Sequence, residues 1–392
     1  MLAYVLLGLA AVSAVSADCS INMNGDLPKS KSPLFLGSKG SLLLPEPEGK
    51  SGVLKLSSGE EVTLACPGNK NAVSKAKAAV VSATCDSGNK LKVGGKAVSV
   101  SDLGCSKTAA SSLRVTDQSC DDGGVILELG FEVADEWVKL VDVCHQIDAG
   151  NTLWAHHTVQ GAALSGAEVE SKRPSFTRGD KALYKGYNPD NAYKQANHKK
   201  MLETVLGKKQ AANLIGNTFI ARGHLAPDAD FIFGSWQFLT YFYANVAPQW
   251  QSINAGNWLA TEKNVRKKAI ELGRDLTVYT GTEGVLTIDS DKGVATPLYL
   301  NDDNKQIPIP DNFWKVLYDA KTKQGIALVG SNNPLLDSEN NLLCKNICEA
   351  NGWPTIRDYR KGLIYCCSVS DFQKAVPHAP KLSVSGVLQG PQ

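Results

Sequence analysis

The chain has 392 residues, with 41 Lys and Arg against 39 Asp and Glu, and ten cysteines. Such a length exceeds what one hydrophobic core normally supports, and after residue 17 no apolar run reaches the ~18 residues that span a bilayer. A net charge of only +2 means that contact with a polyanion has to come from a local excess of basic residues rather than from the whole surface.

In chain order, Met1 to Ala17 is an uncharged apolar stretch that ends in Val15-Ser16-Ala17 before Asp18. Its length and small-residue end fit a cleaved signal peptide over residues 1–17, so the mature chain is expected to be secreted and soluble, with no membrane partner. Ten cysteines, an even number, fit an oxidising compartment. Six lie before residue 150 (Cys19, Cys66, Cys85, Cys105, Cys120, Cys144) and four near the C-terminus (Cys344, Cys348, Cys366, Cys367). Each group can satisfy its own sulfurs, which places a domain boundary near residue 150. Cys366 and Cys367 are adjacent and therefore expected to bond elsewhere, for example to Cys344 and Cys348; a zinc site from these four is the less favoured reading.

Residues 18–150 carry short apolar runs between turn residues, such as Gly52 to Leu56, Glu61 to Cys66, Lys77 to Ala83, Leu91 to Val93 and Val125 to Leu129. That is the pattern of a small mostly-β module, and it contains no catalytic arrangement. His145, His156 and His157 flank the expected boundary and read as satisfied or exposed histidines in preference to a metal site. From Lys172 to Lys209 ten Lys or Arg stand against three acids, either a solvated basic helix, especially over Lys199 to Lys209, or a surface for a polyanion.

Thr218 to Arg266 is the most informative stretch. A β-branched and aromatic run breaks at Arg222-Gly223-His224 and stops at Pro227, so a strand delivers a histidine at its end. Tyr241-Phe242-Tyr243 reads as a buried strand leading into Asn245. A helix is expected from about Asn254 to Leu272, on which Asn254, Trp258, Glu262 and Arg266 recur every four residues, each step advancing only about 40° around the axis. An amide, a carboxylate and a guanidinium then face one direction. A neutral histidine can take a proton from water, an Asn carbonyl backed by a carboxylate suits a hard cation such as Mg²⁺, and arginines can offset charge on phosphate oxygens. Asp228 and Asp230 read as loop-capping or surface carboxylates rather than as extra metal ligands. Taken alone, Glu262 and Arg266 would be an i,i+4 surface pair.

These residues resemble the DNA/RNA non-specific endonucleases, whose signature is DRGH and whose core is the ββα-metal (His-Me finger) motif. Arg222-Gly223-His224 matches the last three residues of DRGH, with Ala221 standing where the family has Asp. Asn245 to Gln249 matches N-x-x-P-Q, and Asn254, Trp258, Glu262 and Arg266 follow at the family's spacing. Ile307 to Val316 resembles its I-P-x-x-F-W-K-V element, so the likeness spans about residues 172–372. The resemblance implies an α+β fold with a central antiparallel sheet flanked by helices, preceded by the disulfide-rich module. It also implies that His224 is the general base and that Asn254 is the direct ligand of Mg²⁺, with Mn²⁺ or Ca²⁺ as alternatives. Glu262 would act on the metal through water, Arg222, Asn245 and Arg266 would handle phosphate and the transition state, and Arg178, or alternatively Arg173, would bind further phosphate.

The layout of a Cys-rich module joined to this nuclease domain (residues 151–380, with a flexible tail at 381–392) resembles the secreted digestive nucleases of shrimps and crabs. That points to double-stranded DNA as the main partner, cut with little sequence specificity to leave 5′-phosphate ends. The alternatives are a nuclease that cuts RNA and DNA equally, and an extracellular nucleic-acid-binding protein without catalysis.

Overall fold

The computed structural model describes residues 17–37, 40–49, 51–170, 172–216 and 218–392. The expected signal peptide, residues 1–17, lies outside them apart from Ala17. The N-terminal module consists of a three-stranded sheet (19–22, 51–56, 46–48) and a five-stranded sheet (34–36, 61–65, 80–87, 90–93, 96–99). Its alternating runs put Leu54, Leu56, Val62 and Leu64 inside, and Cys19–Cys85 and Cys66–Cys105 staple it.

A nine-stranded sheet organises the rest. We number its strands and the site strands in chain order: β1 (Ser112–Ser119), β2 (Val125–Val133), β3 (Glu136–Gln146), β4 (Asn151–Gln160), β5 (Ile220–His224), β6 (Val246–Trp250), β7 (Asp275–Glu283), β8 (Asn312–Asp319), β9 (Gln324–Ser331), β10 (Ile364–Cys367) and β11 (Gly386–Val387). The large sheet runs β10-β9-β8-β7-β4-β3-β2-β1, with β11 parallel to β9, while β5 and β6 form a separate antiparallel pair. The expected boundary near residue 150 falls in the tight turn between β3 and β4. Strands on both sides of it pair Val141 with His157 and Cys144 with Trp154, so the sheet does not divide there; by sheet membership the change comes between Ser99 and Ser112. Cysteine grouping misled because Cys120–Cys144 ties the large sheet, not the N-terminal module. No helix among the described residues is long and apolar enough to cross a membrane.

All ten cysteines pair, including Cys344–Cys367 and Cys348–Cys366, which removes the zinc reading. The C-terminal tail is docked rather than flexible. Gly386 and Val387 pair with Gln324 and Gly325, Leu388 is 1% exposed, and its carbonyl accepts from Trp353 Nε1 at 2.8 Å. A Pro- and Gly-rich composition reports backbone propensity, and here one buried leucine and a ladder edge outweigh it.

The basic segment forms two helices, α1 (Gln195–Leu206) and α2 (Lys208–Ile215), not one. Gly207 between them has φ +89°, and a Cβ there would meet Asp291 Oδ2 at 2.2 Å. Asp291 accepts from the amides of Lys209 and Gln210, capping α2. Arg173 to Arg178 contributes only a single bridge, Thr177 to Phe242. Tyr241 to Tyr243 is buried but forms that bridge and a 3₁₀ turn instead of a strand.

Helix α3 (Leu259–Leu272) follows β6 through a short helical turn and a wide turn at Asn254–Trp258. The expected continuous helix from Asn254 is broken at Gly256, whose φ −97°, ψ −119° is not helical. A Cβ on Gly256 would come within 2.8 Å of Lys361 Cβ, and Asn257 Nδ2 donates to the carbonyls of Asp358 and Gly362. The segment is thereby fixed to the 358–362 turn. Such π-type irregularities recur at functional sites. Behind it, α3 packs Val265 and Ala269 onto the sheet, and Trp258 packs on Phe313 with ring centroids 5.7 Å apart.

Candidate active site

β5, β6 and α3 together build a ββα unit. In the β5–β6 register Ile220 faces Trp250 and His224 faces Val246. Alternation along β5 therefore puts Ile220, Arg222 and His224 on one side and Ala221 and Gly223 on the other. Gly223 has to be glycine because Gln249 Oε1 would lie 2.5 Å from its Cβ.

His224 ends β5 with its ring among Phe176 and Tyr241, at centroid distances of 5.3 and 4.9 Å. Its Nε2 is buried with no hydrogen-bond partner among the described residues. Burial lowers the imidazole pKa to about 4, with the Arg173 charge adding and Asp228 opposing, so the ring is neutral at neutral pH and able to accept a proton. Arg222 has no carboxylate partner among the described residues. Its guanidinium lies 5.2 to 5.5 Å from the rings of Phe176, Tyr193 and Tyr243, and Nη2 donates to the Tyr243 hydroxyl at 3.3 Å. An aromatic cage holds the cation without neutralising it.

Glu262 likewise has no hydrogen bond or ion pair among the described residues. Burial raises its pKa to about 7; the charges of Asp230 and Asp228 add to the shift, while Lys315 and Arg266 oppose it. A half-buried carboxylate left in this state is short of positive charge. On the preceding segment Asn254 Nδ2 donates to Gln251 Oε1 at 3.3 Å, and Oδ1 has no donor among the described residues. One free amide oxygen and one uncompensated carboxylate are a chemically suitable pair for a hard divalent cation held mostly by water. Among the described residues no group of three or more His, Cys, Asp or Glu is arranged to hold a metal.

The remaining expected residues are engaged differently. Asn245 is 0% exposed, and its amide accepts from Ala226 N and donates to the carbonyls of Ala226 and Thr240. It closes the 226–240 loop, so its side chain has nothing left for phosphate and the expected direct role is corrected to one of holding this loop. Arg266 Nη1 donates to Asp230 Oδ1 at 2.9 Å. Arg178 lies 3.4 Å from Asp190, and Arg173, well exposed, lies 3.9 Å from Asp228; both stay at the margin of the site.

Sequence reasoning undervalued three groups. Asp230 is buried rather than a surface carboxylate, bonding both Arg266 and His157. Lys315 is 0% exposed and donates to Thr280 Oγ1 at 2.8 Å, with burial lowering its pKa against the attraction of Glu262 and Asp230. His157 sits on an otherwise apolar strand face with Leu153, Ala155 and Val159. His157 and Lys315 had a signal, a lone ionisable residue at an inward position of an apolar strand, as in Phe313-Trp314-Lys315-Val316-Leu317; Asp230, in the 3₁₀ turn Asp228–Asp230, had none.

Ala221 also finds its explanation. It faces Gln249 across the pair, away from His224, and Gln249 Oε1 and Nε2 are both buried without partners among the described residues. Position 221 therefore lies on the strand face of Gln249 and not on that of His224.

Comparison with known proteins identifies the family. The DNA/RNA non-specific endonuclease family matches residues 123–372. A salivary endonuclease of Lutzomyia longipalpis is 32% identical over 369 residues, covering 92% of this chain and 83% of that protein. Salivary protein Tsal2A of Glossina morsitans morsitans is 28% identical over 387 residues, covering 96% of this chain and 95% of its own. Among solved structures, a chain of the EndoG/EndoGI complex aligns at a TM-score of 0.35 and 15% identity, over 60% of this chain and 81% of that one. With most of the large sheet and the whole ββα unit inside the matched span, the chain belongs to the DNA/RNA non-specific endonuclease family.

Proposed function

We propose that this nuclease is a secreted, Mg²⁺-dependent endonuclease that prefers double-stranded DNA, has little sequence specificity and leaves 5′-phosphate ends. The observation that carries the reading is the set of polar atoms on one unit that have no partner among the described residues: His224 Nε2, Arg222 Nε, Asn254 Oδ1 and the Glu262 carboxylate. Buried polar groups are normally satisfied; His224 Nε2 and Arg222 Nε are buried and open, and with the half-buried Asn254 and Glu262 on the same unit they make a site suited to ligands.

In this reading His224 accepts the proton of a water that attacks phosphorus in line with the departing 3′ oxygen. Arg222 and Arg266 donate to the non-bridging oxygens, where negative charge grows. Asn254 Oδ1 would hold Mg²⁺, with Glu262 acting through water, and the ion would supply charge stabilisation to the leaving oxygen. Arg178 and Arg173, at the margin of the site, engage neighbouring phosphates of the backbone. Such contacts carry little base information, which accounts for low sequence specificity. The duplex preference rests on the likeness of the two-part layout to digestive nucleases. Secretion is supported by the five disulfides, since such bonds belong to oxidising compartments, and by the salivary relatives, and a role in breaking down nucleic acid outside the cell follows.

The test compares cleavage of plasmid DNA, linear single-stranded DNA and RNA by the wild type and His224→Ala, each with Mg²⁺ and with a chelator. Metal-dependent cutting, fastest on the plasmid and lost in the variant, supports the reading. Equal rates on RNA and DNA select a sugar-nonspecific nuclease, and binding without cutting selects the non-catalytic alternative.

A further inference from the structure

Below the face of α3 that carries Glu262 and Arg266 lies a polar cluster in apolar surroundings. Asp230 is 1% exposed, and its two carboxylate oxygens have different partners. Oδ1 accepts from Arg266 Nη1 at 2.9 Å, and Oδ2 accepts from His157 Nε2 at 2.9 Å. His157 is also 1% exposed, and its ring stacks on Phe231 with centroids 5.3 Å apart. Its Nδ1 is buried without a partner among the described residues, so the neutral ring carries its proton on Nε2 and donates it to Asp230.

The division of the carboxylate has a consequence for Arg266. An Arg–carboxylate pair usually closes as a two-bond fork, which would consume two guanidinium nitrogens. Here the second oxygen is already taken by His157. Arg266 makes no other hydrogen bond among the described residues, so most of its five donors remain available. We infer that Asp230 and His157 are positioning residues for Arg266: His157 restricts Asp230 to a single guanidinium nitrogen, and the rest of the fork stays free for a non-bridging phosphate oxygen.

This inference rests on the role proposed for Arg266. It also gives β4 a part in the site, because His157 ties the α3 side chain to the central sheet. Lys315, on β8, is the other cation facing this carboxylate. Burial alone would push the Asp230 carboxyl up, but the His157 hydrogen bond and the nearby cations hold it at about 2; it is ionised throughout the working range.

The experiment measures kcat and KM on plasmid DNA with Mg²⁺, together with Tm, for six proteins besides the wild type: Asp230→Asn, His157→Ala, His157→Gln, Arg266→Ala, Arg266→Ala combined with Asp230→Asn, and His224→Ala. Asp230→Asn should lower kcat about 10²-fold, the size typical of a small misplacement of a reacting group, with KM changed less than about threefold because the contact matters mainly in the transition state. His157→Ala should lose roughly tenfold in kcat, and His157→Gln, which restores a donor, should regain most of it. Free guanidinium at constant ionic strength should restore activity to Arg266→Ala but not to the double variant, which lacks the anchoring carboxylate. Should Asp230→Asn prove unstable, the two His157 variants decide the matter. Wild-type kcat in Asp230→Asn, equal Ala and Gln effects at His157, or equal guanidinium rescue in both backgrounds would each overturn the inference. Full kcat in Arg266→Ala would remove Arg266 from the reaction and overturn the inference together with that proposed role, whereas an inactive His224→Ala would show that the rest of the proposed mechanism still stands.

Discussion

Two neighbouring layers, one on the ββα unit and one between it and the central sheet, treat their charged and catalytic groups in opposite ways. In the upper layer His224 Nε2 and Arg222 Nε are buried without partners, and Glu262 has neither hydrogen bond nor ion pair among the described residues. In the lower layer every charged group is matched: Asp230 with His157 and Arg266, Lys315 with Thr280 and the field of two carboxylates. Burying an unpaired polar group is costly, so the upper layer is a source of instability that the lower layer and the sheet support. The site is thus recognised by the reactive groups it leaves open, while its support is recognised by charged groups that all have partners.

The sharpest way to separate the layers is to substitute one residue in each. His224→Ala should reduce cleavage of plasmid DNA at least ~10²-fold, as expected for loss of a general base, while its Tm stays within a few degrees of wild type. A large fall in Tm would show that His224 belongs to the supporting layer instead. Lys315→Met should do the reverse in emphasis, costing about 3 kcal/mol in urea unfolding because it takes a cation from the field of Asp230 and Glu262 and leaves the Thr280 hydroxyl without its donor; an unchanged unfolding midpoint would break the contrast.

Acid should expose a cost shared by other buried histidines. Burial lowers His145 to about 4, and it lowers His198 to about 4 against the opposing hydrogen bond that the ring donates to the Ala192 carbonyl. Both folded pKa values lie below the unfolded value of about 6.5, so the unfolded state takes up protons first. Stability is therefore full above pH 6.5 and declines as pH falls toward 4, by roughly 2 kcal/mol per histidine at pH 5. Denaturant midpoints that do not move between pH 7 and 5 would contradict this. The smallest effect is expected at the motif's departure. Ala221→Asp should change kcat less than about threefold, because that side chain points to Gln249 on the strand face opposite His224; a gain of ~10-fold or more would mean that the missing carboxylate orients the histidine after all.

Much of the site could be read in the sequence because it is local. Arg222-Gly223-His224, Asn254, Glu262 and Arg266 lie within one 45-residue strand–strand–helix span, where strand and helix periodicities fix which side chains share a face. The fold class was legible for the same reason, through short alternating runs and paired cysteines. Tertiary structure decided what depends on distant segments. His157 reaches Asp230 across 73 residues and Lys315 reaches Thr280 across 35, and no local pattern encodes such pairings. The same holds for the sheet that runs through residue 150 and for the docked tail at Leu388. The sequence by itself determined which reactive groups this protein has, because chemistry and local periodicity belong to the residues themselves. Which of those groups are satisfied and which stay open was decided only by packing, because a hydrogen bond depends on where its second partner comes to rest.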